Sequence, residues 1–440
     1  MLFGTDGIRG VVNIDINSSV AYNIGKGLAV YILENNLKKK VIVGKDTRLS
    51  SDCYVSSIIS ALTEYGINVD MVGIVATPVI SFLVNRLKYS AGIMITASHN
   101  NSSYNGIKVF NQYGEKASKE MEDIIENNIN KKYQKEPEGK IEVKEELVDI
   151  YYKYLYKKYI NKISNNIKIV VDCANGSNYK IAPKIFRELG LEIIEKDCTN
   201  NGAKINQNCG ANCVDNLIDS VKNNNANFGI AFDGDGDRLR VVCNNGRELN
   251  GDDLLYLFSQ YIIKNSNLKL NYIGGTIMTN RGLDKSLEKD KIKIIRSNVG
   301  DKNLIETMKN NCIILGGECS GHICFLNYIP SCDALYNALY FLKCYTHFDN
   351  NFEEIIKEKI TLNSVIKNIN VSESFRKKYD ENIVFKNKIK NIENEYIGYY
   401  IIVRPSGTEP VMRIYVEGDN YIKINEILHK ISEIIKSEQV

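Results

Sequence analysis

An alternation of short apolar runs with longer amphipathic stretches constrains this chain more than any other feature. "VIVG" (41–44) precedes an amphipathic segment near 51–65, "VDMVGI" (69–74) precedes one beginning at Pro78, and "GIMIT" (92–96) follows. The apolar runs are too short and too β-branched for helices, so they read as strands with helices between them. Strand, helix, strand, helix, strand is the order that builds a mostly parallel sheet covered by helices.

The same order recurs twice. "IKIVVD" (167–172), "LEIIEK" (191–196) and "FGIAF" (228–232) enclose helical stretches near 179–189 and 214–224. "YIGGTIM" (272–278), "IKIIRS" (292–297) and "IILGG" (313–317) enclose others near 281–288 and 301–310. Beyond about residue 365 the pattern changes to two strands around a polar loop, "YYIIVRPSGTEPVMRIYVEG", and a helix near 421–437. The expected fold is three related α/β domains with mostly parallel sheets plus a smaller C-terminal α+β domain. The expected boundaries are 1–155, 156–250, 251–365 and 366–440. A length of 440 residues suits several domains better than one core. The charged segment 131–140, with Pro137 and Gly139, reads as a surface loop.

Composition narrows the function classes. The formal net charge is only +3, so nothing points to a nucleic-acid partner, and the lysine runs read as solvated faces. No apolar run approaches the roughly 18 residues that span a bilayer. The opening "MLFGTDGIRG" carries Asp6 and Arg9 and has no signal-peptide core. A cytoplasmic location is expected, with no membrane partner. The eleven cysteines are scattered singly and read as buried free thiols in a reducing compartment.

The third strand of each α/β unit ends in an unusual loop, "TASHNN", "DGDGDR" or "GGECSGH". Open α/β sheets bind ligands at the carboxyl ends of their strands, so these loops are the candidate site. In "FDGDGDR", Asp233, Asp235 and Asp237 alternate; on an extended chain they face one side. Three carboxylates in one small volume repel unless a cation neutralises them, and Mg²⁺ is the natural one. A calcium EF-hand loop would need Gly and Glu where Arg238 and Asn244 stand.

In "TASHNN", an extended backbone would turn His99 away from Ser98, which leaves it poorly placed as a base, and there is no Gly-x-Ser-x-Gly elbow. "NGIK" brings Lys108 back towards the same place. "GGECSGH" offers Glu318, Ser320 and His322 to a hydroxyl-rich ligand, although a glycine turn with a surface histidine is the plainer reading of His322. "RPSGTEP" clusters Arg404, Ser406, Gly407 and Thr408, with Arg413 on the next strand, as donors for a phosphate.

Taken in order, "FGTDGIRG", "TASHN", "NGIK", "FDGDGDR", "GGE-x-SGH" and "RPSGTEP" resemble the α-D-phosphohexomutases along nearly the whole chain. The resemblance implies a heart-shaped, four-domain isomerase that moves a phosphoryl group between O6 and O1 of a hexose phosphate through a 1,6-bisphosphate. It implies that Ser98 is the phosphoryl carrier, and that one Mg²⁺ is held by its phosphate with Asp233, Asp235 and Asp237. Arg9, Lys108 and His322 would handle protons or charge, the general base among them staying open. His99, Arg238, Glu318 and Ser320 would contact the sugar phosphate. Arg404, Ser406, Gly407, Thr408 and Arg413 would grip the phosphate that is not reacting. A sugar 1,6-bisphosphate would be the activator, the partner would be a small sugar phosphate, and a homodimer stays open.

The opening motif and the length favour the branch acting on glucosamine phosphate, which feeds amino-sugar nucleotides and cell-wall precursors. Glucose or mannose phosphate is the alternative. Outside the family, a haloacid-dehalogenase-type phosphatase using Asp233 is the rival. Four departures from the family pattern stand out: Asn101 in place of proline, which would loosen the serine loop; Lys302 in place of arginine; Cys319 in the sugar loop; and the segment "CGANC" (209–213).

Overall fold

The computed structural model describes residues 3–4, 6–131, 137–265, 269–379, 381–406 and 410–438, apart from the side chains of Asn350 and Lys377. The described strands form four sheets. In the first, the order is Ile8–Val11, Tyr104–Phe110, Ala91–Ile95, Lys40–Lys45, Asn68–Ile74, Ile141–Val143. Its inner strand Ala91–Ile95 is buried at every position, as a strand covered on both faces must be. The helices Ser18–Glu34 and Lys119–Asn128 are capped by Asn17 and Ser118, whose side chains accept from the amides of Val20 and Met121.

The second sheet runs Glu248–Leu249, Leu239–Cys243, Phe228–Phe232, Lys168–Asp172, Glu192–Lys196. The third runs Lys293–Ser297, Tyr272–Thr276, Leu315–Gly317, Ile323–Phe325. In all three sheets the strand that leads into a candidate loop is followed by an antiparallel return strand: Tyr104–Phe110, Leu239–Cys243 and Ile323–Phe325. The sheets are therefore mixed, and each loop is the turn of a hairpin whose base is fixed in the sheet. The sequence reading found the leading strands and missed these returns.

Two compact units are resolved: residues 1–279 with 290–357, and residues 280–289 with 358–440. The first holds the three sheets above. The second holds an antiparallel sheet ordered Asn363–Asn370, Val411–Gly418, Tyr400–Pro405, with helix Tyr421–Ser437 over it. Its core includes Phe385, Met412, Ile414, Val416, Ile424, Ile427 and Ile431. Helix Arg281–Glu288, which the alternation placed in the third α/β unit, packs into this second unit. The Asn280 amide donates to Leu362 O at 3.0 Å, and the Arg281 backbone N–H donates to Glu417 Oε1 at 2.8 Å.

All eleven cysteines are free, as expected, but only six are buried: Cys198, Cys213 and Cys319 are half-buried, and Cys53 and Cys312 are exposed. No helix among the described residues is long and apolar enough to cross a membrane.

Candidate active site

Within the first unit, the serine loop and the aspartate loop meet. Ser98 Oγ donates to Asp233 Oδ2 at 2.9 Å, and both residues are fully buried. Carboxylate oxygens of Asp233, Asp235 and Asp237 lie within 4.8 Å of one another. The reason is not the one read from the sequence. Residues 234–236 form a turn, with Gly236 at φ 73°. Asp233 Oδ1 accepts the backbone N–H groups of Asp237 and Arg238 at 3.1 and 3.2 Å. The loop wraps around its first carboxylate, and the wrapping brings the three side chains together.

The extended premise also fails at Ser98, which sits at φ 48° in the left-handed region. His99 Nδ1 consequently comes to 3.5 Å from Ser98 Oγ, closer than an extended strand allows. Burial first, then Arg238 and Arg9, lower His99 to about 3, so its ring is neutral at physiological pH.

Lys108, on the buried return strand, lies against the acidic group. Its Nζ is 2.8 Å from Asp235 Oδ2, 3.1 Å from Asp237 Oδ2 and 3.0 Å from Asp6 Oδ2. Burial alone would lower Lys108, but these carboxylates outweigh it and hold it well above its usual value. Arg9 and Lys116 both pair with Asp6, and Lys116 reaches Asp301 Oδ2 at 2.6 Å. Burial favours a protonated Asp6, but Lys108, Lys116 and Arg9 hold it well below the carboxylate range.

The third loop docks on the second through backbone. Arg238 and His322 form a bridge, and Leu239 N–H donates to Gly321 O at 3.1 Å. His322 is buried, not a surface residue. Its Nδ1 is 2.7 Å from Glu318 Oε2 and its Nε2 is 3.1 Å from Asp237 Oδ1. Burial would lower it, but Asp237 dominates with help from Glu318, and the ring is pushed up to about 10. Glu318 also accepts the Gly300 N–H at 2.9 Å. The Ser320 hydroxyl is shielded from solvent and has no hydrogen-bond partner among the described residues.

In the second unit, Arg404 and Arg413 are register partners on adjacent strands. Burial, then the Arg413 charge, lowers Arg404. Such a pair of guanidinium groups is suited to an anion. Ser406 is buried, its N–H donates to Val411 O at 2.9 Å, and its carbonyl accepts from Arg376 Nη1 at 2.8 Å. Gly407 and Thr408 lie outside the described residues.

Sequence reasoning missed several residues here. Arg48 is buried with its side chain spread under the serine loop. Asn206, just before "CGANC", and Asn212, within it, donate to carbonyls of the same loop: Asn206 to those of Ser98 and Asn100, and Asn212 to that of His99. Asp6, Lys116 and Asp301 were also unassigned. Among the departures, Asn101 does not leave its turn loose, since its Oδ1 accepts Ser103 N–H at 3.1 Å and its carbonyl accepts from Arg48. Lys302 pairs with Glu122 Oε1 at 2.8 Å.

The donor set matches a small hard cation. Asp235 Oδ1 is buried without a hydrogen-bond partner among the described residues, an open acceptor inside the acidic group. Burial, then Asp237 and Asp235, push Asp233 up to about 8, the signature of carboxylates that need a counter-charge.

Phosphoglucomutase/phosphomannomutase α/β/α domains I, II and III match residues 1–136, 149–246 and 250–362, and the C-terminal domain of that family matches 352–434. A phosphoglucosamine mutase of Clostridium beijerinckii is 35% identical, with 99% of each chain covered. A phosphoglucomutase/phosphomannomutase family protein of Burkholderia thailandensis has a TM-score of 0.84 at 22% identity, covering 99% of this chain and 97% of its own. An N-acetylphosphoglucosamine mutase of Aspergillus fumigatus, solved with GlcNAc-6P and magnesium, has a TM-score of 0.69 at 17% identity, covering 100% of this chain and 96% of its own. With motifs, sheets and domain order in agreement from end to end, the chain belongs to the phosphoglucomutase/phosphomannomutase family.

Proposed function

We propose that this protein interconverts glucosamine 6-phosphate and glucosamine 1-phosphate through a phosphoserine at Ser98 and a 1,6-bisphosphate intermediate. The observation that carries the reading is a buried hydroxyl, Ser98 Oγ, 2.9 Å from Asp233 inside an acidic group backed by Lys108. The sugar rests on the 35% identity to a phosphoglucosamine mutase along the full chain.

Asp233, Asp235 and Asp237, with the Ser98 phosphate, would hold one Mg²⁺. Bound there, it would neutralise charge that builds on the transferring group. The protein's own part is alignment. Phospho-Ser98 passes its phosphoryl group to the free O1 or O6 of the sugar phosphate, the attacking hydroxyl losing its proton and Ser98 Oγ gaining one. Ser98 Oγ then gives up that proton as it takes the phosphoryl group from the other sugar oxygen, which gains one, so atoms balance over the two transfers. A phosphoserine carries about −1.5 to −2 charge at neutral pH. Arg9, Lys108 and Arg238 supply cations around it. Glu318 and Ser320 bind sugar hydroxyls, Ser320 with a hydroxyl that has no partner among the described residues. His99 contacts the sugar phosphate. His322, 2.7 Å from Glu318 and 3.1 Å from Asp237, handles protons or charge around the reacting hydroxyl together with Arg9 and Lys108. In the C-terminal unit, Arg404, Ser406 and Arg413 bind a phosphate. A sugar 1,6-bisphosphate reloads the serine. A cytoplasmic site of action, in amino-sugar and cell-wall precursor synthesis, follows from the reaction.

The test is Ser98→Ala with phosphosite mapping, together with turnover on glucosamine, glucose and mannose 6-phosphates. The expected results are an acid-stable phosphate on Ser98, no turnover in the variant and preference for glucosamine. A hydroxylamine-labile acyl phosphate on Asp233 would point to the phosphatase instead.

A further inference from the structure

The serine loop is gripped by its carbonyl oxygens from two directions. From the first sheet's side, Arg48 uses its whole guanidinium. Nε donates to Asp46 Oδ2 at 2.9 Å, Nη1 to the carbonyls of Asn101 and Tyr104, and Nη2 to those of Ser98 at 3.0 Å and Asn100 at 2.7 Å. Five N–H groups meet five acceptors, which saturates an arginine. From the second sheet's side, Asn206 Nδ2 donates to the same Ser98 and Asn100 carbonyls at 2.8 and 2.9 Å.

Ser98 needs such restraint. A non-glycine residue at φ 48° is in a region its side chain disfavours. Thr96 Oγ1 accepts the Ser98 N–H at 2.9 Å and pins the residue on its amino side. The two donors on its carbonyl pin the other side, so both peptide planes flanking Ser98 are fixed. The direction of Oγ towards Asp233 follows from them. Asn206 is itself at φ 56°, and its Oδ1 is buried without a partner among the described residues. A conformation and an acceptor are both sacrificed to keep its Nδ2 on this loop.

We infer that Arg48 and Asn206 are positioning residues for phosphoryl transfer, a two-sided carbonyl clamp that aims Ser98 Oγ. The inference rests on the phosphoserine reading above. Neither residue touches Oγ, so the clamp acts only through the backbone of Ser98.

The experiment uses full-length Arg48→Lys, Asn206→Ala and Asn206→Asp with Mg²⁺, glucosamine 6-phosphate and ³²P-labelled glucose 1,6-bisphosphate. Turnover is normalised to labelled serine, which removes any loss of folded protein. Lysine keeps charge but not the fork, and aspartate sets oxygens against the two carbonyls. Misaiming by about an ångström costs roughly 100-fold, so kcat per labelled serine should fall on that order in Asn206→Asp and about tenfold in Asn206→Ala, with KM within about twofold. Should Arg48→Lys fail to fold, the Asn206 pair decides. A kcat per labelled serine equal to wild type, or a loss expressed wholly in KM, overturns the clamp. Wild-type protein that never takes label on Ser98 overturns the phosphoserine reading instead, which separates the two failures.

Discussion

Thr77 donates its backbone N–H to the carbonyl of Asp235 at 2.8 Å and its hydroxyl to Oδ2 of the same residue at 2.5 Å. The first turn of a helix on the first sheet thus fixes the middle carboxylate of the second sheet's loop, leaving its Oδ1 without a hydrogen-bond partner among the described residues. Groups that orient a metal ligand typically set 10–100-fold in affinity. Thr77→Val should raise the Mg²⁺ concentration for half-maximal turnover roughly tenfold, and Thr77→Ser should restore it. Equal metal titrations for threonine and valine would show that the contact does not orient Asp235.

Gly234 separates two of the aspartates for a steric reason. A Cβ there would stand 2.7 Å from Ser98 O and 2.7 Å from Asn206 Nδ2. Gly234→Ala must push the serine loop away, at an overpacking cost of about 1–3 kcal/mol. The expected result is a lower Tm together with a fall in kcat, read by thermal unfolding and steady-state kinetics. A change in Tm alone would mean the loop yields without moving Ser98.

The His322 ring carries a pH dependence whose sign is fixed. Its folded value, about 10, lies above the unfolded 6.5. Its stabilisation is therefore complete below pH 6.5 and is lost as pH rises towards about 10. With divalent cations chelated, the Tm difference between wild type and His322→Gln should be largest at the acid end and vanish near the upper value. A difference that grows with pH would contradict the imidazolium.

Asp333 holds together a tyrosine-rich contact beside the aspartate loop, whose Gly236 carbonyl accepts the Ala334 N–H at 3.1 Å. It caps helix Ala334–Phe348 by accepting Tyr336 N–H at 3.0 Å, and it accepts the hydroxyls of Tyr151 and Tyr328, each at 3.0 Å. Asp333→Ala removes a cap worth about 1 kcal/mol. It also strands the buried hydroxyl of Tyr151 at about 1–3 kcal/mol, and that of half-buried Tyr328 at less. Denaturant unfolding should register several kcal/mol, whereas Asp333→Asn, which keeps an acceptor, should lose less.

The sequence was legible where a local pattern carries the physics. β-branched runs marked the leading strands, and spaced aspartates after a buried strand marked the acidic loop. The return strand Ile323–Phe325 was not legible, because three residues show no alternation. Arg48 was not legible either. Its partners are carbonyls some 50 positions away, and any residue type supplies a carbonyl. The same holds for Asn206, 108 positions from the serine it grips. His99 and the aspartates were read on an extended backbone; the positive φ of Ser98 and Gly236 leaves no mark in an alternation pattern. His322 looked like a surface group because its burial depends on a neighbouring sheet.

Where the first two sheets' loops meet, main chain also approaches main chain at Gly202. A Cβ on Gly202 would stand 1.8 Å from Thr47 O, closer than any side chain tolerates. At that point the seam is guarded by a hydrogen atom where other residues carry a carbon, so any side chain there would part the loops that carry the serine and the aspartates.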